Sequence, residues 1–223
     1  MNKTSAIILA AGRSLRAGSD KQFLKLNGRY LIEVTLSKFI SEVDEIVVAL
    51  SKDNIEKHLD IFSNSKIKVV EGGNTRIESL INASRKLSDN SQIILVHDGA
   101  RPFVSKQLIN KMISASKSYG CAVPVIPLKD TVKEVDINSQ KVIKTIERDR
   151  HFLVQTPQGY RRDIFERIVK SITNTSFTDD SQIAESLGME VRAIIGEETN
   201  IKITTPLDII IAGVIYEETQ KKF

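Results

Sequence analysis

Three cations, Arg13, Arg16 and Lys21, stand in a run rich in small residues, Leu9-Ala10-Ala11-Gly12-Arg13-Ser14-Leu15-Arg16-Ala17-Gly18-Ser19-Asp20-Lys21-Gln22, directly after the apolar segment Ser5 to Ala10. Glycine and alanine let a ligand approach backbone N–H groups closely, and those groups together with the three cations would hold a string of phosphates. The spacing is not that of a P-loop, because no Gly-Lys-Ser/Thr follows. It also lacks the full dinucleotide fingerprint, since Ser14 stands where a second early glycine would be. Read alone, the run is equally an ordinary strand-to-helix loop with solvated charges.

Two further segments carry chemistry of a matching kind. Val96-His97-Asp98-Gly99-Ala100-Arg101-Pro102 sets a carboxylate at the carboxyl end of an apolar strand, with a guanidinium three positions on. Magnesium prefers one or two protein oxygens completed by phosphate oxygens and water, so a lone carboxylate beside a phosphate cradle marks Asp98 as a metal candidate. The alternative for Asp98 is a cap on the following turn. His97 alternates with it and is expected to face packed structure. In Gly72-Gly73-Asn74-Thr75-Arg76-Ile77-Glu78-Ser79, two glycines allow backbone to approach a base edge, and Asn74 and Ser79 offer hydrogen-bonding groups. A plain turn with a helix cap competes with that reading. Asp130-Thr131, Arg148, Thr178-Asp179-Asp180 and Asn200-Ile201-Lys202-Ile203-Thr204 supply more cations and hydroxyls, which together with Arg101 would form a second anion site.

These segments need elements to position them. Ile- and Val-rich runs recur at Ser5 to Ala10, Glu45 to Leu50, Ile67 to Val70, Ile93 to Val96 and Ala122 to Ile126. Amphipathic stretches at Leu31 to Ile40, Asn54 to Phe62, Thr75 to Leu87 and Ser105 to Tyr119 separate them, with Asn54 and Ser105 as candidate caps. Near-continuous apolar strands alternating with helices predict an α/β sandwich, a parallel sheet covered on both faces. In such sheets ligands sit beyond the carboxyl ends of the strands, where the three segments above fall.

The pattern breaks between Asp130 and Tyr160. Alternating runs Thr131 to Val135 and Val142 to Ile146 flank the polar turn Asp136 to Gln140, which predicts a β-hairpin too small to bury a core of its own. It is expected to clasp a second subunit, the alternative being a hairpin folded back on its own domain. Helices are expected from about Arg162 to Ile172 and Asp179 to Leu187, then a strand from Val191 to Ile195. A last helix begins at Pro206, and its wide apolar face, with Ile209 to Ile211, Val214 and Ile215, is either core or dimer contact.

Composition narrows the classes. The 223 residues suit one domain, and 41% hydrophobic with 27% charged residues is ordinary for a soluble globular chain. No apolar run is long enough to span a bilayer, and the N-terminus lacks the pattern of a signal peptide, so a cytoplasmic location is the default expectation. One cysteine, Cys121, opens an apolar run and reads as a core thiol. With three scattered histidines it forms no zinc motif. A net charge of +4 and a pI near 9.1 favour an anionic partner. Basic residues are spread rather than striped and aromatics are only 5%, so small anions are expected rather than nucleic acid.

The order of Ala10-Ala11-Gly12…Arg16…Lys21-Gln22, Gly72-Gly73…Arg76…Ser79, Val96 to Pro102, Thr156-Pro157-Gln158, Thr178-Asp179-Asp180 and Asn200 to Thr204 resembles the 2-C-methyl-D-erythritol 4-phosphate cytidylyltransferase family over essentially the whole length. The ribitol-5-phosphate cytidylyltransferases share the nucleotide motifs and differ in acceptor. The resemblance implies a Rossmann-like three-layer sandwich, residues 1–223, with a mostly parallel sheet and a dimerisation β-arm inserted at about 130–155. It also implies magnesium-dependent transfer of CMP from CTP to a polyol phosphate, releasing pyrophosphate, in a homodimer that binds neither membrane nor nucleic acid. A silent nucleotide- or nucleic-acid-binding module is the distant alternative.

On this resemblance Arg16 and Lys21 would stabilise the transition state, and Arg148 and Lys202 would position the acceptor phosphate. Ala10, Ala11, Gly12, Gly73, Asn74 and Ser79 would surround the nucleotide, with Arg13 beside them. Asp98 would hold magnesium, and Arg101, Thr131 and Thr178 would line the acceptor pocket, Thr131 and Arg148 serving the partner's site. Ser14 and Asn74 depart from the family's usual glycine and aspartate, which implies a slightly altered cradle with every catalytic cation retained.

Overall fold

The computed structural model describes residues 3–12, 21–172, 177 and 179–220, with the backbone alone considered at Lys21 and Gln220. The chain opens with β1 (Lys3–Leu9), a short hairpin of β2 (Lys25–Leu26) and β3 (Arg29–Tyr30), and α1 (Leu31–Phe39). Next come β4 (Glu45–Leu50), α2 (Lys52–His58), β5 (Ile67–Glu71), α3 (Arg76–Ser84), β6 (Ser91–Asp98), α4 (Lys106–Tyr119) and β7 (Cys121–Pro127). A hairpin of β8 (Val132–Asp136) and β9 (Lys141–Ile146) leads to β10 (Phe152–Val154), β11 (Gln158–Arg161), α5 (Arg162–Ser171), α6 (Asp180–Ser186), β12 (Arg192–Ile195) and α7 (Pro206–Gln220).

One sheet runs in the order β10-β7-β11-β6-β1-β4-β5, with β12 also paired to β7. β6, β1, β4 and β5 are mutually parallel, as their continuous apolar runs predict; all six residues of β4 are buried. Alternation sends successive side chains to opposite layers. Ala6 and Ile8 of β1 join α1 and α4 through Leu36, Phe39, Leu108 and Met112, while Ile7 joins α3, α5 and α6 through Leu80, Phe165 and Ile183. The result is a Rossmann-like three-layer α/β sandwich. A third cluster seats α7 against Leu26, Leu31, Val34, Phe103 and Ile203 through Ala212 and Tyr216. The outer side of α7 leaves Leu207, Ile210 and Val214 exposed. Among the described residues no helix is long and apolar enough to cross a membrane.

Two expectations change. Asn54 is no cap: Ser51 takes the extended backbone that precedes α2, which starts at Lys52, and Asn54 is buried inside the helix. The same helix ends at His58, where the chain passes into a 3-10 turn, Leu59–Phe62. The sheet is mostly parallel, as expected; β10 runs antiparallel at the edge beside β7, and β11 runs antiparallel between β6 and β7. Gly159 makes that insertion possible: a Cβ there would collide with Ser116 Oγ of α4 and crowd Leu95 and the Met112 carbonyl. Ser105 does cap α4, accepting from Leu108 N–H at 2.9 Å. Cys121 is buried, and burial pushes its thiol up to about 12, which fits a packed core thiol.

Candidate nucleotide and phosphate site

The ends of β1 and β5 meet in a tight floor. Ala10 N–H donates to the Ala49 carbonyl at 2.9 Å, and Gly72 N–H to the Leu50 carbonyl at 2.8 Å. A Cβ on Gly72 would run into the Ala11 methyl and come within 2.9 Å of Ser79 Oγ, so only glycine lets these three residues touch. Gly73 N–H donates to Ser79 Oγ at 3.0 Å, and the Ser79 hydroxyl donates to the Thr75 carbonyl at 2.9 Å. Thr75 caps α3 by accepting from Glu78 N–H, and Asn74 N–H donates to Glu78 Oε2 at 2.7 Å. Gln22 is buried and its amide fastens the end of β1 by donating to the Ala10 carbonyl and, at 3.4 Å, to that of Gly12. No described atom lies within 4 Å of where a Gly12 Cβ would stand.

Beside this floor, three cations converge on Asp98 at the end of β6. Lys202 Nζ lies 2.9 Å and Arg101 Nε 3.6 Å from its Oδ2, and Arg76 Nε lies 3.4 Å from its Oδ1. Arg76 also contacts Asp180 Oδ1 in the first turn of α6. Burial opposes the charge on Asp98, but Arg76, Lys202 and Arg101 outweigh it and hold the carboxyl well below the usual carboxylate range. The Arg76 guanidinium is likewise held charged, burial being outweighed by Asp180 and Asp98. Burial pushes Arg101 down, against the pull of Asp98.

The link between β10 and β11, through Thr156, and the strip after β12 hold this cluster in place. Asp98 N–H donates to Thr156 Oγ1 at 3.1 Å, and that hydroxyl meets His97 Nδ1 at 3.0 Å. His97 Nε2 lies 3.0 Å from the Arg101 carbonyl, bracing the turn between the two charged residues. Burial drives the His97 pKa down to about 4, so its ring is neutral near pH 7 and serves as a packed hydrogen-bonding strut. Asn200 Nδ2 donates to the Thr156 carbonyl at 2.8 Å, Arg101 Nη1 to the Asn200 carbonyl at 2.8 Å, and Ile203 N–H to the Ala100 carbonyl at 2.9 Å.

Of the residues singled out above, Ala10, Ala11, Gly12, Gly73, Asn74 and Ser79 lie along the floor and Asp98, Arg101 and Lys202 in the cluster. Arg13, Arg16 and Thr178 lie outside the described residues, and Lys21 opens a 3-10 turn, Lys21–Phe23, with its backbone alone described. Thr131 and Arg148 are exposed at the base of the hairpin, where Arg148 Nη1 donates to the Lys129 carbonyl at 2.8 Å. Among the described residues no three His, Cys, Asp or Glu side chains gather as metal ligands. Sequence reasoning named Arg76 and Thr156 only within motifs and placed Asp180 in a segment of the second anion site, without pairing any of them with Asp98. One signal was available: a cation in the first turn of a helix opposes the helix dipole, so Arg76 needs acidic partners.

A mostly parallel sheet with backbone amides and cations gathered beyond its strand ends defines a Rossmann-like protein of the nucleotide-handling class. The family model described as 2-C-methyl-D-erythritol 4-phosphate cytidylyltransferase matches residues 4–218, and the chain belongs to that family of nucleotidyltransferases. Relatives bearing that name include one from Clostridium botulinum (strain Eklund 17B / Type B), 40% identical over 217 residues, covering 93% of this chain and 96% of that protein. Another, from Alkaliphilus oremlandii (strain OhILAs), is 34% identical over 223 residues, covering 95% and 94%. Among solved structures, the 4-diphosphocytidyl-2C-methyl-D-erythritol synthase from Anaerococcus prevotii DSM 20548 superposes with a TM-score of 0.83 at 34% identity, covering 97% of this chain and 96% of that one. The 2-C-methyl-D-erythritol 4-phosphate cytidylyltransferase from Thermus thermophilus gives 0.79 at 31% identity, covering 96% and 98%.

Proposed function

We propose that this chain transfers CMP from CTP to 2-C-methyl-D-erythritol 4-phosphate, giving 4-diphosphocytidyl-2-C-methyl-D-erythritol and pyrophosphate. The observation that carries this reading, in a chain of this family, is the convergence of Arg76, Arg101 and Lys202 on one carboxylate beside the glycine floor. A phosphate monoester is largely dianionic near pH 7, so the acceptor arrives as a ready nucleophile and no general base is required. The task is electrostatic: two anions must meet, and negative charge grows at the α-phosphate as pyrophosphate leaves.

Lys21 and Arg16 stabilise that charge, with Arg13 beside the triphosphate, and Ala10, Ala11, Gly12, Gly73, Asn74 and Ser79 receive the nucleotide. Lys202, which keeps 43% of its side chain exposed, turns from Asp98 to the acceptor phosphate. Arg101 and Thr178 line the acceptor pocket. The exposed hairpin, with Val142, Ile143 and Ile137 turned to solvent, reaches a second copy and delivers Thr131 and Arg148 to its site.

The donor set fits magnesium, which needs only one or two carboxylates beside phosphate oxygens and water, and Asp98 is an ionised carboxylate with 11% of its side chain exposed. Asp98 would hold the ion, which when bound neutralises triphosphate charge. The deciding experiment offers CTP with either 2-C-methyl-D-erythritol 4-phosphate or ribitol 5-phosphate and measures pyrophosphate. Release with the first and little with the second is expected. The reverse preference overturns the acceptor assignment, and no release with either overturns the reading as a whole.

A further inference from the structure

Arg76 sits where a helix disfavours a cation, in the first turn of α3, and its guanidinium is forked between carboxylates on two other elements, Asp98 of β6 and Asp180 of α6. The fork is uneven. Nη1 is in close contact with Asp180 Oδ1, whereas Nε stands 3.4 Å from Asp98 Oδ1, long for a charge-assisted hydrogen bond. Asp180 is fully buried and its Oδ2 has no hydrogen-bond partner among the described residues, so within them Arg76 is the cation that faces its carboxylate. Lys202 and Arg101 approach the other oxygen of Asp98, Oδ2. Asp98 Oδ1 is thus the less engaged of the two.

We infer that Asp180 is a positioning residue that draws Arg76 away from Asp98 and so keeps Asp98 Oδ1 open to a divalent cation arriving with the triphosphate. This rests on the reading that Asp98 receives the cation. With the Asp180 charge removed, Arg76 has one carboxylate left, closes on Asp98 and competes for the same oxygen.

The test measures CTP binding by calorimetry, without acceptor, in magnesium and in EDTA. The ratio of the two affinities is the readout, so a general loss of nucleotide affinity cancels. Asp180→Asn keeps the shape, removes the charge, and is expected to shrink the ratio about ten- to a hundredfold, as when a group supporting a metal ligand is lost. Arg76→Met/Asp180→Asn removes both partners and is expected to restore the ratio, because no guanidinium remains to close on Asp98. An undiminished ratio in Asp180→Asn overturns the inference, and so does a collapsed ratio in the double variant. If circular dichroism shows Asp180→Asn unfolded, the double variant decides by the same criterion. Asp98→Asn separates the two levels: a wild-type ratio there, or no magnesium effect in the wild type, sinks the reading of Asp98 itself.

Discussion

Lys202 Nζ lies 2.9 Å from Asp98 Oδ2, although the aspartate ends a central strand and the lysine belongs to the strip that precedes the last helix. Bonds to either side of Lys202 enforce the meeting: Ile203 N–H donates to the Ala100 carbonyl, and the Arg101 side chain donates through Nη1 to the Asn200 carbonyl. The carboxylate is sunk and the ammonium is the half with access to solvent, so in the pair it is Lys202 that can turn to an incoming phosphate.

Lys202→Met keeps the stem and removes the charge. Because the ammonium is partly exposed, the fold should survive, with an unchanged circular dichroism spectrum and melting within a few degrees of wild type. Turnover should fall by roughly two to three powers of ten, the loss expected for one charged group that acts on the transition state. Near-wild-type pyrophosphate release would take Lys202 out of the mechanism.

Gly72→Ala tests the floor independently of the charges. The added methyl would strike Ala11 and crowd Ser79 Oγ, two side chains with little freedom to move, so the ends of β1 and β5 must part. CTP affinity should drop about tenfold or more, while the Asp98 cluster keeps its arrangement. Unchanged affinity in a titration would mean that the floor does not meet the nucleotide.

Much of this architecture was legible beforehand because it is local. The run Glu45 to Leu50 is apolar without interruption after its first residue and forms a strand buried on both faces, and the three chemical segments fall where a parallel sheet gathers its strand ends. What stayed hidden depends on partners distant in the chain. Gln158 to Arg161 is short and half polar, and becomes a central strand only because Val96 and Ala122 offer edges on either side. Arg76 stood in the sequence only as one member of a motif, and its two partners, Asp98 and Asp180, lie 22 and 104 positions further along the chain. Asn54 has a cap's chemistry, but Ser51 three residues earlier has the extended backbone that starts the helix.

At the opposite end of the sheet, Glu45 predicts an acid sensitivity. Burial alone would raise its carboxyl, yet hydrogen bonds from Lys68, from Ser88 and from Ser5 at 2.8 Å hold it down to about 2. A carboxyl whose folded pKa is depressed stabilises the fold above its unfolded value, roughly 4.3, and the contribution fades as pH falls toward the folded value. The difference in unfolding free energy between wild type and Glu45→Gln, from urea titrations, should therefore shrink from pH 7 to pH 2.5, by about 2 kcal/mol. A difference independent of pH would show that the depressed carboxyl is not what the variant removes.

The hairpin poses the question of which subunit it serves. Arg148 emerges at its base, more than half exposed, with one nitrogen on the Lys129 carbonyl, and the strands beyond carry Val142 and Ile143 uncovered. If the hairpin crosses to a second copy, each site takes Lys21 from one chain and Arg148 from the other. Arg148→Ala should then mainly raise the KM for the acceptor phosphate, and Lys21→Met should mainly lower kcat. Mixing the two poorly active variants and letting subunits exchange should recover activity, because a mixed dimer contains one site with both wild-type groups. With equal amounts and random pairing, half the dimers are mixed and half their sites intact, so about a quarter of wild-type activity should return. Recovery cannot occur if Arg148 serves the site of its own chain, since every site would then lack one group, and a mixture no more active than its parts would place the arm in cis.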